Sequence, residues 1–328
     1  MGEVATSTHP HLDKLLAAAV KLGAARTAVA YPCSASALKA ALTASELGLI
    51  EPLLVGPVNR IRELAEAEGL DLGAAELIET GTDPIDAAAG AIGLIRSGRA
   101  TLLMKGSLHT DELMGAAVAK DGGLRTGRRT SHAFLFDVPG HNRPFLMADC
   151  VVNIAPGLIE KRDITQNAIE LAHALGLERP YVGILSAVET VNPQIPGTIE
   201  AAALSKMAER GQITGAIVDG PLAFDVAISG EAARIKGLTS PVSERPDILI
   251  VPNLEAGNLL YKQLVYLAKA ECAGIILGAA VPIILTSRAD SATTRIASTA
   301  LAVIKANDSQ KRLTLLECDR DLHGHQRQ

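Results

Sequence analysis

Short runs of apolar residues alternate along this chain with longer stretches whose apolar positions recur every three or four residues. Leu12, Leu15, Leu16, Ala19 and Val20 keep the helical period and fall on one face of a helix. Thr27 to Tyr31 is then an apolar run of strand length, Pro52 to Gly56 a second and Thr101 to Met104 a third. Between them lie a charged helical stretch from Arg60 to Glu68 and a helix from Asp83 to Ile95, with Pro84 suited to a first helical position. The second half repeats the scheme. Strands are expected at Tyr181–Leu185, Gly215–Asp219 and Asp247–Val251, and helices from about Thr198 to Arg210 and from about Ala256 to Ala270. Strands without alternating polar residues are buried on both faces. Their alternation with helices predicts an α/β fold in which a parallel sheet is covered on both sides.

At 328 residues the chain is too long for one small core and fits two lobes. The turn-rich stretch Asp137-Val138-Pro139-Gly140-His141-Asn142-Arg143-Pro144 is the best boundary, and a second crossing is expected near Ala273-Gly274. No internal repeat of fixed period and no low-complexity tract is visible.

Composition narrows the function classes. Hydrophobic residues make up 48% and charged residues 20%, enough for a sizeable core. Trp is absent, and four Phe and four Tyr leave few stacking surfaces for bases. The net charge is −5, which disfavours a phosphate-backbone binder, so no nucleic-acid partner is expected. Cys33, Cys150, Cys272 and Cys318 are widely spread, form no C-x-x-C pair and read as reduced thiols rather than a zinc site or disulfide framework. No signal peptide and no apolar run of membrane-spanning length is apparent. A cytoplasmic protein away from the membrane is therefore expected. His323 and His325 in the polar tail could touch a metal, but a frayed terminus is the plainer reading.

Ligands of open α/β sheets gather beyond the carboxyl ends of strands. Lys105-Gly106-Ser107 follows one apolar run, with Lys105 placed to meet a phosphate and Thr110 able to cap the next helix; a capped loop with a solvated lysine is the plainer reading. Between Gly122 and Arg129 three glycines and three arginines, Arg125, Arg128 and Arg129, form either an anion-wrapping loop or a solvated basic one. Neither a Walker P-loop nor a dinucleotide fingerprint is present. Asp219 to Asp225 and Pro252 to Asn258 again follow strands with carboxylates and amides. The uncharged run Gly278 to Leu285 breaks directly into Thr286-Ser287-Arg288-Ala289-Asp290-Ser291. Ile296, Ala300, Val303 and Ile304 then mark a helix face, with Asp290 or Ser291 as its cap. Ser287 and Arg288 thus precede a helix N-terminus, a good place for a phosphate or a developing oxyanion, or else form an ordinary strand-to-helix joint.

Met147 to Pro156, Asp219 to Asp225, Pro252 to Asn258 and Thr286-Ser287-Arg288 occur in this order, and as a set they resemble the phosphate acetyltransferase/phosphate butyryltransferase family. The resemblance runs from Lys105 to Ile304. It implies a two-lobed, three-layer α/β/α fold like that of the isocitrate and isopropylmalate dehydrogenases, with the active site in the interlobe cleft. Residues 1–136 plus 275–328 would form the first lobe and 137–274 an inserted second lobe. It implies reversible acyl transfer between CoA and inorganic phosphate by a homodimer, with acyl-CoA, CoA, phosphate and acyl-phosphate as ligands. CoA enters as a substrate, and neither a metal nor another cofactor is implied. Ser287 resembles the serine that stabilises the tetrahedral oxyanion, and Arg288 the arginine that holds phosphate. Lys105, Arg125, Asn153 and Asn258 join Arg288 as candidate phosphate and substrate ligands. A carboxylate takes the thiol proton, because the thiolate is the nucleophile. In the acetyl-specific branch that carboxylate is expected seven residues after the serine, where this chain has Thr294. Asp290, three residues after Ser287, is then either the base or a helix cap. A non-catalytic acyl-CoA or acyl-phosphate sensor and a metal-dependent decarboxylating dehydrogenase on the same fold are the alternatives.

Overall fold

The computed structural model describes residues 8–285 and 290–324, with side chains as far as Lys311. Helix α1 (Pro10–Val20) opens it. β1 (Ala25–Ala30), α2 (Ala35–Glu46), β2 (Ile50–Gly56), α3 (Val58–Ala67), β3 (Glu76–Glu79), α4 (Pro84–Arg96), β4 (Leu102–Lys105) and α5 (Thr110–Ala117) follow in strict alternation. β5 (Ser131–Asp137) and β6 (Phe145–Ala148) succeed one another directly. Then come α6 (Leu158–Ala174), β7 (Tyr181–Leu185), α7 (Pro196–Glu209), β8 (Ile217–Leu222), the short α8 (Phe224–Ile228) and α9 (Gly230–Ile235), β9 (Ile248–Ile250) and α10 (Leu254–Tyr266). β10 (Glu271–Leu277), β11 (Ile283–Ile284) and the long α11 (Ala292–Gly324) complete the described chain.

These strands make one 11-stranded sheet in the order β3-β2-β1-β4-β11-β10-β5-β6-β9-β7-β8. The expected parallel sheet is corrected at its centre. β10 pairs antiparallel with both β11 and β5, and β5 pairs antiparallel with β6. For β5–β6 and β10–β11 the reason is connection length. The link through residues 138–144 joins β5 to β6, and residues 278–282 join β10 to β11; links this short return a strand beside its predecessor without a helical crossover. The turn-rich stretch read as a boundary is thus the β5–β6 hairpin link, and Ala273-Gly274 lies inside β10.

Val29, Ala30, Leu53, Leu54, Leu102 and Leu103 are all at most 1% exposed, so both faces of these strands are covered, as their uninterrupted apolar sequence requires. Local caps place the helices. Ser34 accepts from Ala37 N at the start of α2, Asp83 from Ile85 N at α4, and Asn253 from Ala256 N at α10. The cap expected from Thr110 falls one residue earlier: His109 precedes α5, and its N–H donates to the Glu112 carboxylate at 2.6 Å. α1 has no cap of its own; buried Asp137 at the end of β5 accepts from His11 N at 2.7 Å and Leu12 N at 3.2 Å.

Candidate active site

The turn after β6 is organised by one buried carboxylate. Asp149 Oδ1 accepts from Val151 N and Val152 N, both at 2.9 Å. Its Oδ2 accepts from Asn153 N at 3.3 Å and from Asn153 Nδ2 at 2.7 Å. Four donors leave the 3%-exposed carboxylate well satisfied, and the turn it fixes pushes Val151 outward. Asn153 in turn accepts from Arg129 Nε at 2.7 Å and donates to Thr130 O at 2.9 Å. The turn therefore fastens the arginine-rich loop.

That loop is also held from the other side. Thr126 Oγ1 donates to Gly278 O at 2.6 Å, and Arg125 bridges to Ala279 through the backbone. Gly278 has φ +81°, and a Cβ there would lie 2.5 Å from Arg129 O, so a side chain is excluded twice over. Of the three arginines, Arg128 pairs with Glu170, and Arg129 pairs with Glu160 at 3.2 Å. Arg125 is exposed and has no side-chain ion pair or hydrogen bond among the described residues.

Arg125 lines a cavity of about 920 Å³ together with Thr110, Asp111 and Met114 of α5. A second cavity of about 490 Å³ adjoins it, and Val151 and Leu285 belong to the lining of both. The second cavity collects Asn258 and Tyr261 from α10, His132 from β5, Glu271 and Cys272 from β10, and Asp290. Asn258 Nδ2 donates to Cys150 O at 3.4 Å, which ties the start of α10 to the Asp149 turn. Gly257 beside it would place a Cβ 2.8 Å from Val251 Cγ2 and 3.1 Å from both Asp149 O and Cys150 Cα, so a side chain there would crowd the Asp149 turn.

Arg125, Asn258 and Asp290 are thus brought to two adjoining cavities. Asn153 stands behind the first, its amide engaged by Arg129, Thr130 and Asp149. Lys105 folds onto its own loop, with Nζ 3.4 Å from Gly106 O and 3.3 Å from Leu108 O, and lines neither cavity. Ser287 and Arg288 lie outside the described residues; Leu285 and Asp290, the described residues on either side, both line the second cavity. The Asp219–Asp225 segment stays apart: Asp225 pairs with Lys236 at 2.9 Å. The cap of α11 falls to Ser291, whose Oγ accepts from Thr294 N at 2.9 Å. Thr294 Oγ1 donates to Glu271 Oε2 at 3.0 Å, and Ser291 Oγ donates to the same oxygen at 3.2 Å.

Burial sets the protonation states around the second cavity. His132 is 2% exposed, and burial lowers its pKa to about 4 against the opposing pull of Asp149, so it is neutral near pH 7. Its Nδ1 has no hydrogen-bond partner among the described residues. Burial pushes the Cys272 thiol up to about 12, and the nearby Asp290 and Glu271 charges add to this. Cys150 is raised well above its ordinary value for the same leading reason. Protonated thiols are poor nucleophiles, so neither cysteine is poised for a covalent step. The arrangement suits direct transfer: an unpaired guanidinium for an anion in one cavity, and carboxylates for a proton in the next.

Glu271, His132, Tyr261 and Cys272 were not legible as site residues. Each sits within or beside an apolar run, and only the pairing of β5 with β10, with α10 packed across them, brings them together.

Residues 84–303 match the family model described as phosphate acetyl/butaryl transferase. The chain is 57% identical over 294 residues to a phosphate acetyltransferase of Rhizobium meliloti, covering 90% of this chain and 93% of that one. It is 40% identical over 283 residues to a phosphate butyryltransferase of Clostridium acetobutylicum, covering 86% and 94%. Among solved structures, a branched-chain phosphotransacylase from Enterococcus faecalis superposes with a TM-score of 0.75 at 28% identity, covering 86% of this chain and 99% of that one.

Proposed function

The chain belongs to the phosphate acetyl/butaryl transferase family, and we propose that it transfers a short acyl group reversibly between CoA and inorganic phosphate. The observation that carries this reading to the site is Arg125, an unpaired guanidinium on a cavity that adjoins a second one lined by carboxylates. Phosphate and acyl-phosphate need a fixed cation, and guanidinium matches their oxygens with paired donors. In the acyl-CoA-forming direction the thiol loses its proton to a carboxylate, sulfur attacks the acyl-phosphate carbonyl, and phosphate leaves. The reverse direction passes through the same tetrahedral centre.

Within this reading Ser287 donates to the oxyanion and Arg288 holds the phosphoryl group, on the strength of the sequence motif. Asp290 joins them as one carboxylate on the wall of the second cavity. Arg125, Lys105 and Asn258 bind the phosphate-bearing substrates, Lys105 through its loop, and Asn153 orients Arg129 beside them. Residues 137–274 act as an inserted lobe on 1–136 and 275–328; supporting this, β6, β9, β7 and β8 lie together at one end of the sheet, while β1 to β4 and β11 lie at the other. Exposed Leu259, Tyr266 and Leu267 on and just beyond α10 support a homodimer. No helix among the described residues is long and apolar enough to cross a membrane, which is compatible with a cytoplasmic enzyme.

The test is release of free CoA from acetyl-, propionyl- and butyryl-CoA with and without inorganic phosphate. Release that depends on phosphate, with acyl-phosphate accumulating in step, is expected. No phosphate-dependent release from any of the three overturns the reading.

A further inference from the structure

We propose that Glu271 is the group that accepts the proton of the CoA thiol in this transfer. The inference rests on the acyl-transfer reading above and identifies which carboxylate performs its proton step.

Glu271 opens β10, yet its side chain reaches the first turn of α11. There Ser291 Oγ and Thr294 Oγ1 both donate to Oε2, at 3.2 and 3.0 Å. Two hydroxyls thus hold one carboxylate oxygen and orient the group. Oε1 has no hydrogen-bond partner among the described residues, while Glu271 lines the second cavity. Asp149, on the same side of the site, shows the contrast: both its oxygens are taken by the turn it organises. A half-buried carboxylate on a cavity wall, with one oxygen anchored by two hydroxyls and the other without a partner among the described residues, is arranged as a general base rather than as a cap.

The placement also accounts for Thr294. Its hydroxyl presents no base, but it fixes a carboxylate from the neighbouring strand over its own position. The other titratable groups facing this cavity are His132, Tyr261, Lys262, Tyr266, Cys272 and Asp290. Cys272 stays protonated, and burial works against His132 holding an added proton as imidazolium; Glu271 and Asp290 are the carboxylates of the wall.

The step balances as follows. The S–H bond breaks and its proton moves to Glu271 Oε1. The sulfur lone pair forms the S–C bond at the acyl carbonyl, and the C–O bond to phosphate breaks. Phosphate leaves with the proton returned from Glu271. In reverse, phosphate gives its proton to Glu271 and attacks the thioester, the C–S bond breaks, and Glu271 returns the proton to the departing thiolate.

The experiment measures pH profiles of kcat/KM for Glu271→Gln and Asp290→Asn in the full chain, with thermal melts of both. Glu271→Gln keeps an oxygen that accepts from Ser291 and Thr294 but binds no proton. It is expected to lower kcat about 10²- to 10⁴-fold, to remove the acidic limb of the profile, and to leave the acyl-phosphate KM and the melting temperature near those of the unmodified protein. Asp290→Asn is expected to keep the acidic limb. Glu271→Gln with an unchanged acidic limb, whatever its rate, overturns the proposal, as does loss of the limb in Asp290→Asn alone. If the unmodified protein shows no phosphate-dependent turnover, the acyl-transfer reading itself fails; if it does and the limb survives in Glu271→Gln, only the assignment of the base fails.

Discussion

Asn153 accepts a hydrogen bond from Arg129 Nε at 2.7 Å while its own amide donates to Asp149 Oδ2, also at 2.7 Å. One buried amide thus couples the turn after β6 to the arginine loop, two segments that the chain separates by a whole hairpin. Replacing Asn153 with Ala leaves the Arg129 loop untied and takes one donor from Asp149. A loss of about 2 kcal/mol in stability is expected by urea titration, from the lost hydrogen bond to the buried carboxylate and the released loop. Turnover should fall with it, and Asn153→Asp should not restore either, because a second carboxylate faces Asp149.

Arg125→Ala should raise the KM for phosphate or CoA about 10- to 100-fold, the effect of removing a charged hydrogen-bond donor from an anion. Arg128→Ala should do much less, since Arg128 is already paired with Glu170. Steady-state kinetics of the two variants side by side measure this. Equal effects would mean that the pairing of Arg128 does not set it apart.

Ser287→Ala should lower kcat about 10²- to 10³-fold with little change in substrate binding, as expected for one lost oxyanion donor. Arg288→Ala should weaken phosphate use most. A phosphate KM unchanged in Arg288→Ala would remove the clamp role drawn from the motif.

His132 should make the fold acid-sensitive. Its ordinary pKa of 6.5 in the unfolded chain falls to about 4 in the folded protein. Between these values the unfolded chain binds a proton that the folded one does not, so stability falls as pH drops from 6.5 towards 4. The contribution approaches about 3 kcal/mol at the low end. Urea midpoints of His132→Gln should therefore decline less over this window than those of the unmodified protein.

Asp137→Ala should loosen α1, because the two helix N–H groups that it satisfies have no substitute of their own. A cost of about 1–2 kcal/mol is expected, with faster amide exchange at His11 and Leu12. Exchange unchanged at these two amides would show that the carboxylate does not hold the helix start.

The sequence by itself determined the strand-helix alternation, the buried strands β1, β2, β4, β7 and β9, and the start of α4. These follow from the period of apolar positions and, at α4, from Pro84 at the first helical position. It also carried the ordered motifs whose family the comparisons bear out. What only the tertiary structure decided depends on residues far apart in the chain. The antiparallel pairing of β5 with β10 puts Glu271, Cys272 and His132 on the wall of one cavity. Asp137 caps a helix more than a hundred residues before it, and Asp149 and Asn153 turn inward to hold a loop rather than outward to a ligand. Ion pairing, likewise, left Arg125 open among three arginines that the sequence presented alike. Local periodicity reports which face of an element is buried; which polar groups meet there is fixed only when the strands take their register.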